Sequence, residues 1–349
     1  MNVFNHLEFS GHEKVLFCHD QASGLSAIIA IHNTRLGSAL GGCRMLPYRN
    51  MNAALTDVLR LSRGMTYKSA IARLPFGGGK AVIIGDPQKA KTRELLRAMG
   101  RCVDSLGGLY VTAEDMHITN DDCGVMAEVT PHVDWVIPGF HGNSSAMTAY
   151  GVEQGILAAI RFMHRSQNAT LAGHSCLIQG IGKVGFPLAH SLKQQGMKVY
   201  VTSTNKETAE RARNELGVEV VSLQKMLNVP VDVYAPCATG AVINDRTVNR
   251  INASVVCGSA NNILLRPEHG EMLRQRGILL VPDYVANCGG VIDAFYYLQS
   301  ANTYSREKVE EHVRSIAYTL AMEIFSRSIL EGRATNTIAD EIAESYVHS

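Results

Sequence analysis

Short apolar runs, often β-branched, alternate along this chain with longer stretches whose apolar residues recur at helical spacing, the pattern of an α/β protein. In the first half the helical period covers 52–65 and 93–106, and strand-like runs occupy 81–84 and 109–112. In the second half strands are predicted at 175–178, 198–202, 218–221, 231–234, 254–257 and 278–281, with helical stretches between several of them. These strands are apolar and often β-branched, as expected of a doubly wound parallel sheet. The Gly/Ser/Pro-rich stretch 138–145 precedes a helical segment at 147–162, so a domain junction and a hinge are expected there. A long amphipathic helix is predicted over 307–330 and a shorter one over 337–347. The expected organisation is a mixed α/β domain at 1–140, a Rossmann-type domain at 141–330 and a C-terminal helical segment, 331–349, that packs back on the first domain.

The bulk numbers narrow the class without choosing a function. Two domains suit 349 residues, of which 46% are hydrophobic, and 33 Lys+Arg against 32 Asp+Glu give a formal charge of +1. Neither a nucleic-acid footprint nor a membrane-binding face is expected. The N-terminal residues show no basic segment followed by an apolar run, and no stretch reaches the ~20 apolar residues of a membrane span. The cysteines at 18, 43, 102, 123, 176, 237, 257 and 288 stand singly, with no C-x-x-C pair. That spacing suits reduced thiols in a cytoplasmic protein and offers no metal-ligand set.

One motif is informative because of what surrounds it. The 175–178 strand runs into Gly180-Ile-Gly182-Lys183-Val184-Gly185 and then into a helical segment at 186–195. This is the strand, turn and helix context of the G-x-G-x-x-G dinucleotide fingerprint, in which the helix N-terminus presents N–H groups to a pyrophosphate. The competing reading is a glycine turn that binds nothing; the further strands behind it favour binding.

The densest candidate chemistry lies in the first half, at 41–48 (GGCRMLPY), 64–68 (GMTYK), 77–80 (GGGK) and 112–115 (TAED). Lys68 ends an otherwise apolar helix face. Lys80 is expected between a triple-glycine turn and a buried strand, where desolvation and a second cation would favour the neutral amine. Asp115 is expected at the end of a strand, facing a ligand crevice. Taken singly, each also reads as an ordinary residue: two solvated lysines and a helix N-cap.

Taken together, these segments and TAYGV at 148–152, APC at 235–237, ANN at 260–262 and PDYVANCGG at 282–290 resemble, in order and spacing, the motifs of the leucine, phenylalanine and valine dehydrogenases. The resemblance spans most of the chain, is nearest to the leucine enzymes and implies reversible oxidative deamination of an L-amino acid to a 2-oxo acid and ammonia with a nicotinamide cofactor. It makes the first domain the substrate-binding, catalytic and oligomerisation domain of a homo-oligomer, a dimer or an assembly of dimers. By the same resemblance Lys68 binds the substrate carboxylate, aided by backbone N–H groups near Gly41 and Gly42. Lys80 is the general base that activates water, and Asp115 exchanges a proton with the substrate nitrogen. Thr148, Cys237, Ala238, Ala260, Asn262 and Asn287 are placed along the cofactor. Asn262 and Asn287 also read as turn-forming residues after strands.

Specificity is read from Leu40, Met65, Ala113, Val291 and Ala294, which the resemblance places around the substrate side chain; Ala113 and Val291 match the aliphatic branch and point to leucine, valine or isoleucine. Two alternatives stand beside this reading. The first is a phenylalanine or tryptophan dehydrogenase with a larger pocket on the same scaffold, since residues 115–122 (DMHITNDD) depart from the common leucine-enzyme sequence and resemble in spacing the tryptophan-active branch; the second is a non-catalytic dinucleotide-sensing protein. Ser203 and Thr204 stand at the end of the second strand, Ser203 where relatives carry the Asp that repels a 2′-phosphate, so NAD is expected with NADP also accepted.

Overall fold

The computed structural model describes residues 3–133, 144–299 and 304–348; the hinge expected at 139–145 falls almost wholly outside them. Two compact units are present, Met1–His141 with Glu344–Ser349, and Gly142–Ala343.

The first unit is built in the order β1 (Lys14–Asp20), β2 (Leu25–Asn33), β3 (Ala39–Leu40), β4 (Cys43–Leu46), α1 (Met51–Ile71), β5 (Gly77–Ile84), α2 (Arg93–Asp104), β6 (Tyr110–Val111) and α3 (Asn120–Ala127). Its sheet runs β1-β2-β5-β3-β6, with β4 also on β5. The β1–β2 and β2–β5 pairs are antiparallel, whereas β3 and β4 run parallel to β5. The register is continuous across β3 and β4, Leu40 beside Gly78 and Cys43 beside Ala81, so Gly41 and Gly42 form the break in one interrupted strand next to β5. Side chains alternate across this sheet. Ile29, Ile31, Met45, Ala81 and Ile83 pack toward Leu95, Met99, Cys123 and Met126 of α2 and α3. Ile28, Ala30 and Val82 pack toward Leu55, Val58 and Leu59 of α1.

Two expectations change here. The triple glycine is no turn: Gly77, Gly78 and Gly79 open β5, each in register with β2 or β3 or packed against them. Each needs a bare Cα for its own reason: a Cβ on Gly78 would sit 2.1 Å from the Thr66 backbone nitrogen of α1, one on Gly77 2.1 Å from the Asn33 carbonyl, and one on Gly79 2.6 Å from the Tyr110 ring. Asp115 does not end a strand either. β6 stops at Val111, and Asp115 opens a tight turn closed by reciprocal backbone hydrogen bonds with Ile118, with His117 at φ 62°. Asp115 is not an N-cap; Thr119 caps α3, with Asp122 completing the reciprocal bond.

The second unit contains α4 (Ser144–Met163), β7 (Ser175–Gln179), α5 (Gly185–Gln194), β8 (Lys198–Thr202), α6 (Lys206–Leu216), β9 (Glu219–Val220), β10 (Val231–Pro236), β11 (Ala253–Val256), α7 (Glu268–Gln275), β12 (Leu279–Leu280), α8 (Asp283–Ala286), α9 (Gly289–Gln299), α10 (Arg306–Arg314) and α11 (Ala321–Glu331). All six strands are parallel in the order β12-β11-β10-β7-β8-β9. The strand order reverses between β7 and β10, the switch point where open α/β sheets bind ligands. The helix predicted over 307–330 is α10 and α11 joined by a π-helical turn, Ser315–Leu320. The final helix, α12 (Thr335–His348), crosses from the second unit's residues into the first's. There Tyr67 Oη donates to Glu344 at 2.6 Å, and Arg73 donates to Tyr346 Oη at 2.8 Å.

Candidate active site

In the first unit the alternation of β4 and β5 decides which side chains meet. Lys80 shares the α1 face of β5 with Gly78 and Val82, and Arg44 takes the same face of β4, opposite to Cys43 and Met45. Asp115 comes to this face from the turn after β6. Its Oδ2 accepts from Lys80 Nζ at 2.8 Å and from Arg44 Nε at 2.7 Å. Arg44 Nη1 reaches Asp57 Oδ2 on α1 at 3.1 Å, and Tyr48 Oη donates to the same Asp57 oxygen at 2.6 Å. The Lys80 side chain is 6% exposed and that of Asp115 22%, so the pair is shielded but open to solvent on the carboxylate side.

Burial opposes the charge on Asp115, but the Lys80 ammonium and then the Arg44 guanidinium outweigh it and hold the carboxyl well below the usual carboxylate range. Asp115 is therefore an acceptor at neutral pH. Arg44 pays a desolvation penalty too, which Asp115 and Asp57 overcome, leaving it more firmly protonated than usual. Burial and then Asp57 push the Tyr48 phenol up, and burial raises the Cys43 thiol.

Other sequence-predicted residues of this unit converge here. A Cβ on Gly42 would meet Asp115 Cβ at 2.8 Å, and one on Gly41 would lie 1.8 Å from the Gly79 carbonyl and 3.4 Å from Met65 Cγ. Leu40 lies between Gly78 and Val111, and Ala113 accepts a hydrogen bond from the Cys43 N–H. Lys68 stands in the last turn of α1, whole helical turns beyond Asp57 on the same face. One expectation narrows: the Gly41 N–H already donates to the Val111 carbonyl at 3.2 Å, so it belongs to the sheet rather than to an incoming carboxylate. Arg44 and Asp57 are site residues that the sequence alone does not single out. The available signals were an arginine at an alternate position of an apolar run and an acid within the apolar period of the first helix.

The second unit's candidate residues gather at the carboxyl ends of β7, β8, β10 and β11. Gly180, at φ 101°, turns the chain out of β7; a Cβ there would strike Ala238 Cβ at 2.6 Å, and one on Gly185 would lie 2.0 Å from the Gly180 carbonyl. Gly182 is exposed and a Cβ there would meet nothing, while the first turn of α5 has no side-chain cap. An uncapped helix start above an open glycine is a cradle that fits a pyrophosphate. Lys183 is exposed, Val184 half-buried, and the Cys237 N–H donates to the Gln179 carbonyl. Ser203 Oγ accepts from the Asn205 N–H at 3.1 Å, Asn205 caps α6, and Thr204 is exposed.

Ala260 is tied to the Pro236 carbonyl, and Asn262, at φ 52°, donates its N–H to Asp283. Asn287 Nδ2 donates to the Ser259 carbonyl and Asn261 Oδ1, while its own buried Oδ1 has no protein partner, an orphan acceptor suited to a ligand's amide. Thr148 Oγ1 donates to the Ser144 carbonyl and lies against Gly290, at the start of the helix carrying Val291 and Ala294, which are 5% and 2% exposed. Among the described residues no group of His, Cys, Asp and Glu could hold a metal ion, and no helix is long and apolar enough to cross a membrane.

The Glu/Leu/Phe/Val dehydrogenase dimerisation domain matches residues 12–132, and the Glutamate/Leucine/Phenylalanine/Valine dehydrogenase domain matches 201–339. The chain is 44% identical to a leucine dehydrogenase of Bacillus cereus, over 100% of its own length and 94% of that protein. It is 45% identical to a phenylalanine dehydrogenase of Caldalkalibacillus thermarum, over 97% of this chain and 91% of the other. The crystal structure of L-tryptophan dehydrogenase from Nostoc punctiforme is similar with a TM-score of 0.78 and 40% identity, covering 97% of this chain and 96% of that one.

Proposed function

The chain belongs to the Glu/Leu/Phe/Val dehydrogenase family and is an amino acid dehydrogenase, and on that premise we propose that it oxidatively deaminates a branched-chain aliphatic L-amino acid with NAD. The observation that carries the assignment of roles is the shielded Lys80–Asp115 pair, 2.8 Å apart beside Gly42. With its pyrophosphate held in the cradle, a nicotinamide cofactor would take up the hydride that leaves the substrate α-carbon. Lys68 pairs with the substrate carboxylate as a fixed cation. Asp115, kept ionised, accepts a proton from the substrate nitrogen. Lys80, as the amine, takes a proton from the water that attacks the imino carbon, and as the ammonium it stabilises the oxygen that results. The products are the 2-oxo acid and ammonia.

Gly180, Gly182 and Gly185 would receive the pyrophosphate, with Asn287 Oδ1 an acceptor for the carboxamide and Thr148 beside it. NAD is favoured over NADP only weakly, because Ser203 and Thr204 stand at the end of β8 in place of an acidic residue that would repel a 2′-phosphate, with Lys206 close behind. Ala113 and Val291 support an aliphatic side chain. Small Ala294, with the likeness to the tryptophan enzyme's structure, supports an aromatic one as the second reading. A homo-oligomer is proposed from the dimerisation domain matched at 12–132, and a cytoplasmic site from eight cysteines without a disulfide.

The test is the formation of reduced cofactor with a panel of L-amino acids and NAD or NADP. Leucine, isoleucine, valine and methionine should all react, since one methylene is worth only ~1–3 kcal/mol of discrimination. A higher kcat/KM for phenylalanine or tryptophan than for every aliphatic substrate would give the second reading, and no turnover with any amino acid would sink both.

A further inference from the structure

We infer that Arg44 is the positioning residue of the Lys80–Asp115 pair, and that Asp57 sets how strongly it acts. The inference rests on the reading of Lys80 as the base. Two cations share Asp115 Oδ2, and they differ in one respect: Lys80 must give up its proton to act, whereas a guanidinium cannot. With Lys80 as sole partner, loss of that proton would strand a shielded carboxylate without a countercharge. The proton would then be drawn back to Lys80. Arg44 removes that difficulty because its charge stays on Asp115 whichever form Lys80 takes.

Its planar fork is held along two edges, Nε on Asp115 at 2.7 Å and Nη1 on Asp57 at 3.1 Å. Asp57 therefore neutralises part of the charge that Arg44 presents to the pair, and Tyr48 fixes the Asp57 oxygen that does so. Other titratable groups face this pair from the elements around it, among them Lys68 in the last turn of α1. Cys43 on β4 and Tyr110 on β6 are kept protonated by burial, Glu114 precedes Asp115 in the chain, and Cys123 and Asp122 lie on α3, the latter paired with Lys91 at 2.7 Å.

The signs for the two partners of Arg44 are opposite. Without Arg44 an ammonium at Lys80 is opposed by one cation fewer, so the acid limb of kcat/KM moves to higher pH. Without the Asp57 charge Arg44 acts at full strength, and the limb moves to lower pH. A merely structural role would lower activity at every pH and move neither limb.

The experiment is the pH profile of kcat/KM for the full-length enzyme and its Arg44→Met, Arg44→Lys, Asp57→Asn and Lys80→Ala variants, each checked by thermal melting. Expected are a rise of the limb by about one pH unit or more in Arg44→Met and a fall of about half a unit in Asp57→Asn. Arg44→Lys should keep the limb near its wild-type position with a lower kcat, since one ammonium restores the charge but not the fork. An unmoved limb in Arg44→Met, or shifts of the same sign in Arg44→Met and Asp57→Asn, overturns the inference. Should Arg44→Met fail to fold, an unmoved limb in Asp57→Asn overturns it equally. Lys80→Ala with wild-type turnover would instead overturn the reading beneath it, whereas its inactivity alongside unmoved limbs would leave that reading and remove only this inference.

Discussion

The two candidate sites of this chain are made in opposite ways. In the first unit, side chains from β4, β5, α1 and the turn after β6 meet around one carboxylate oxygen, and glycine serves only to let backbones approach. In the second, the backbone itself forms the site: a left-handed glycine, an uncapped helix start and an orphan amide oxygen, with few charged groups involved. A site of buried charges is sensitive to which proton is where. A site of backbone geometry is sensitive to a single added carbon.

The largest separation should come from Lys80→Ala, which is expected to lower kcat by about 10²–10⁴-fold, the range for a general base, while NAD affinity by calorimetry stays near wild type. A kcat close to wild type would end the assignment of Lys80.

Next in size is an acid sensitivity confined to the first unit. His12 and His32, 6% and 8% exposed, stack edge to face beneath α1. His12 Nε2 meets the Leu59 carbonyl and Ser62, and His32 meets Thr66 and the Ser10 carbonyl. Burial lowers the two rings to about 4 and about 3, from 6.5. The unfolded chain therefore binds protons that the folded one refuses. The stability in question is whole above pH 6.5 and falls, by about 1.4 kcal/mol per pH unit for each ring, as pH drops toward the folded values. Urea unfolding at pH 7 and pH 5 should show this loss, and replacing both histidines with Asn should flatten it. An equal slope in the double variant would place the acid sensitivity elsewhere.

A smaller, complementary effect is expected in the second unit. Gly185→Ala sets a Cβ 2.0 Å from the Gly180 carbonyl, and overpacking of this kind costs ~1–3 kcal/mol. Dinucleotide affinity should fall about tenfold or more with kcat at saturating cofactor little changed, and unaltered affinity would mean the loop can yield. The smallest change is Ser203→Asp, expected to lower kcat/KM with NADP about tenfold while sparing NAD. A wild-type preference for NAD already near a thousandfold would show that another group excludes the phosphate.

The same contrast explains what could be read from the residues alone. The glycine fingerprint was legible because strand, loop and helix are contiguous, and the whole cradle follows from local geometry. β5 was legible only from Ala81 onward, since glycine weakens a strand. Gly77, Gly78 and Gly79 are strand only because β2 and β3 flank them and α1 lies on top. Lys80 and Asp115 stand out from their surroundings in the sequence, but their roles come only from a resemblance. Arg44 and Asp57 became visible as partners only once β4 lay beside β5 and α1 crossed over both, a relation that no local period encodes. The β1–β2 hairpin is not among the predicted strands although 27–31 is apolar, and the π-helical turn leaves the helical spacing of 307–330 intact enough to hide it.

The bond between Tyr67 and Glu344 spans 277 residues. On a ribosome adding about 5–20 residues per second, the α1 phenol would emerge tens of seconds before its carboxylate. Arg73 waits as long for Tyr346. For that interval the strands and helices of the first unit can form, yet the end of α1 that carries Lys68 lacks its fastening. The half of the protein made first is thus among the last to be finished.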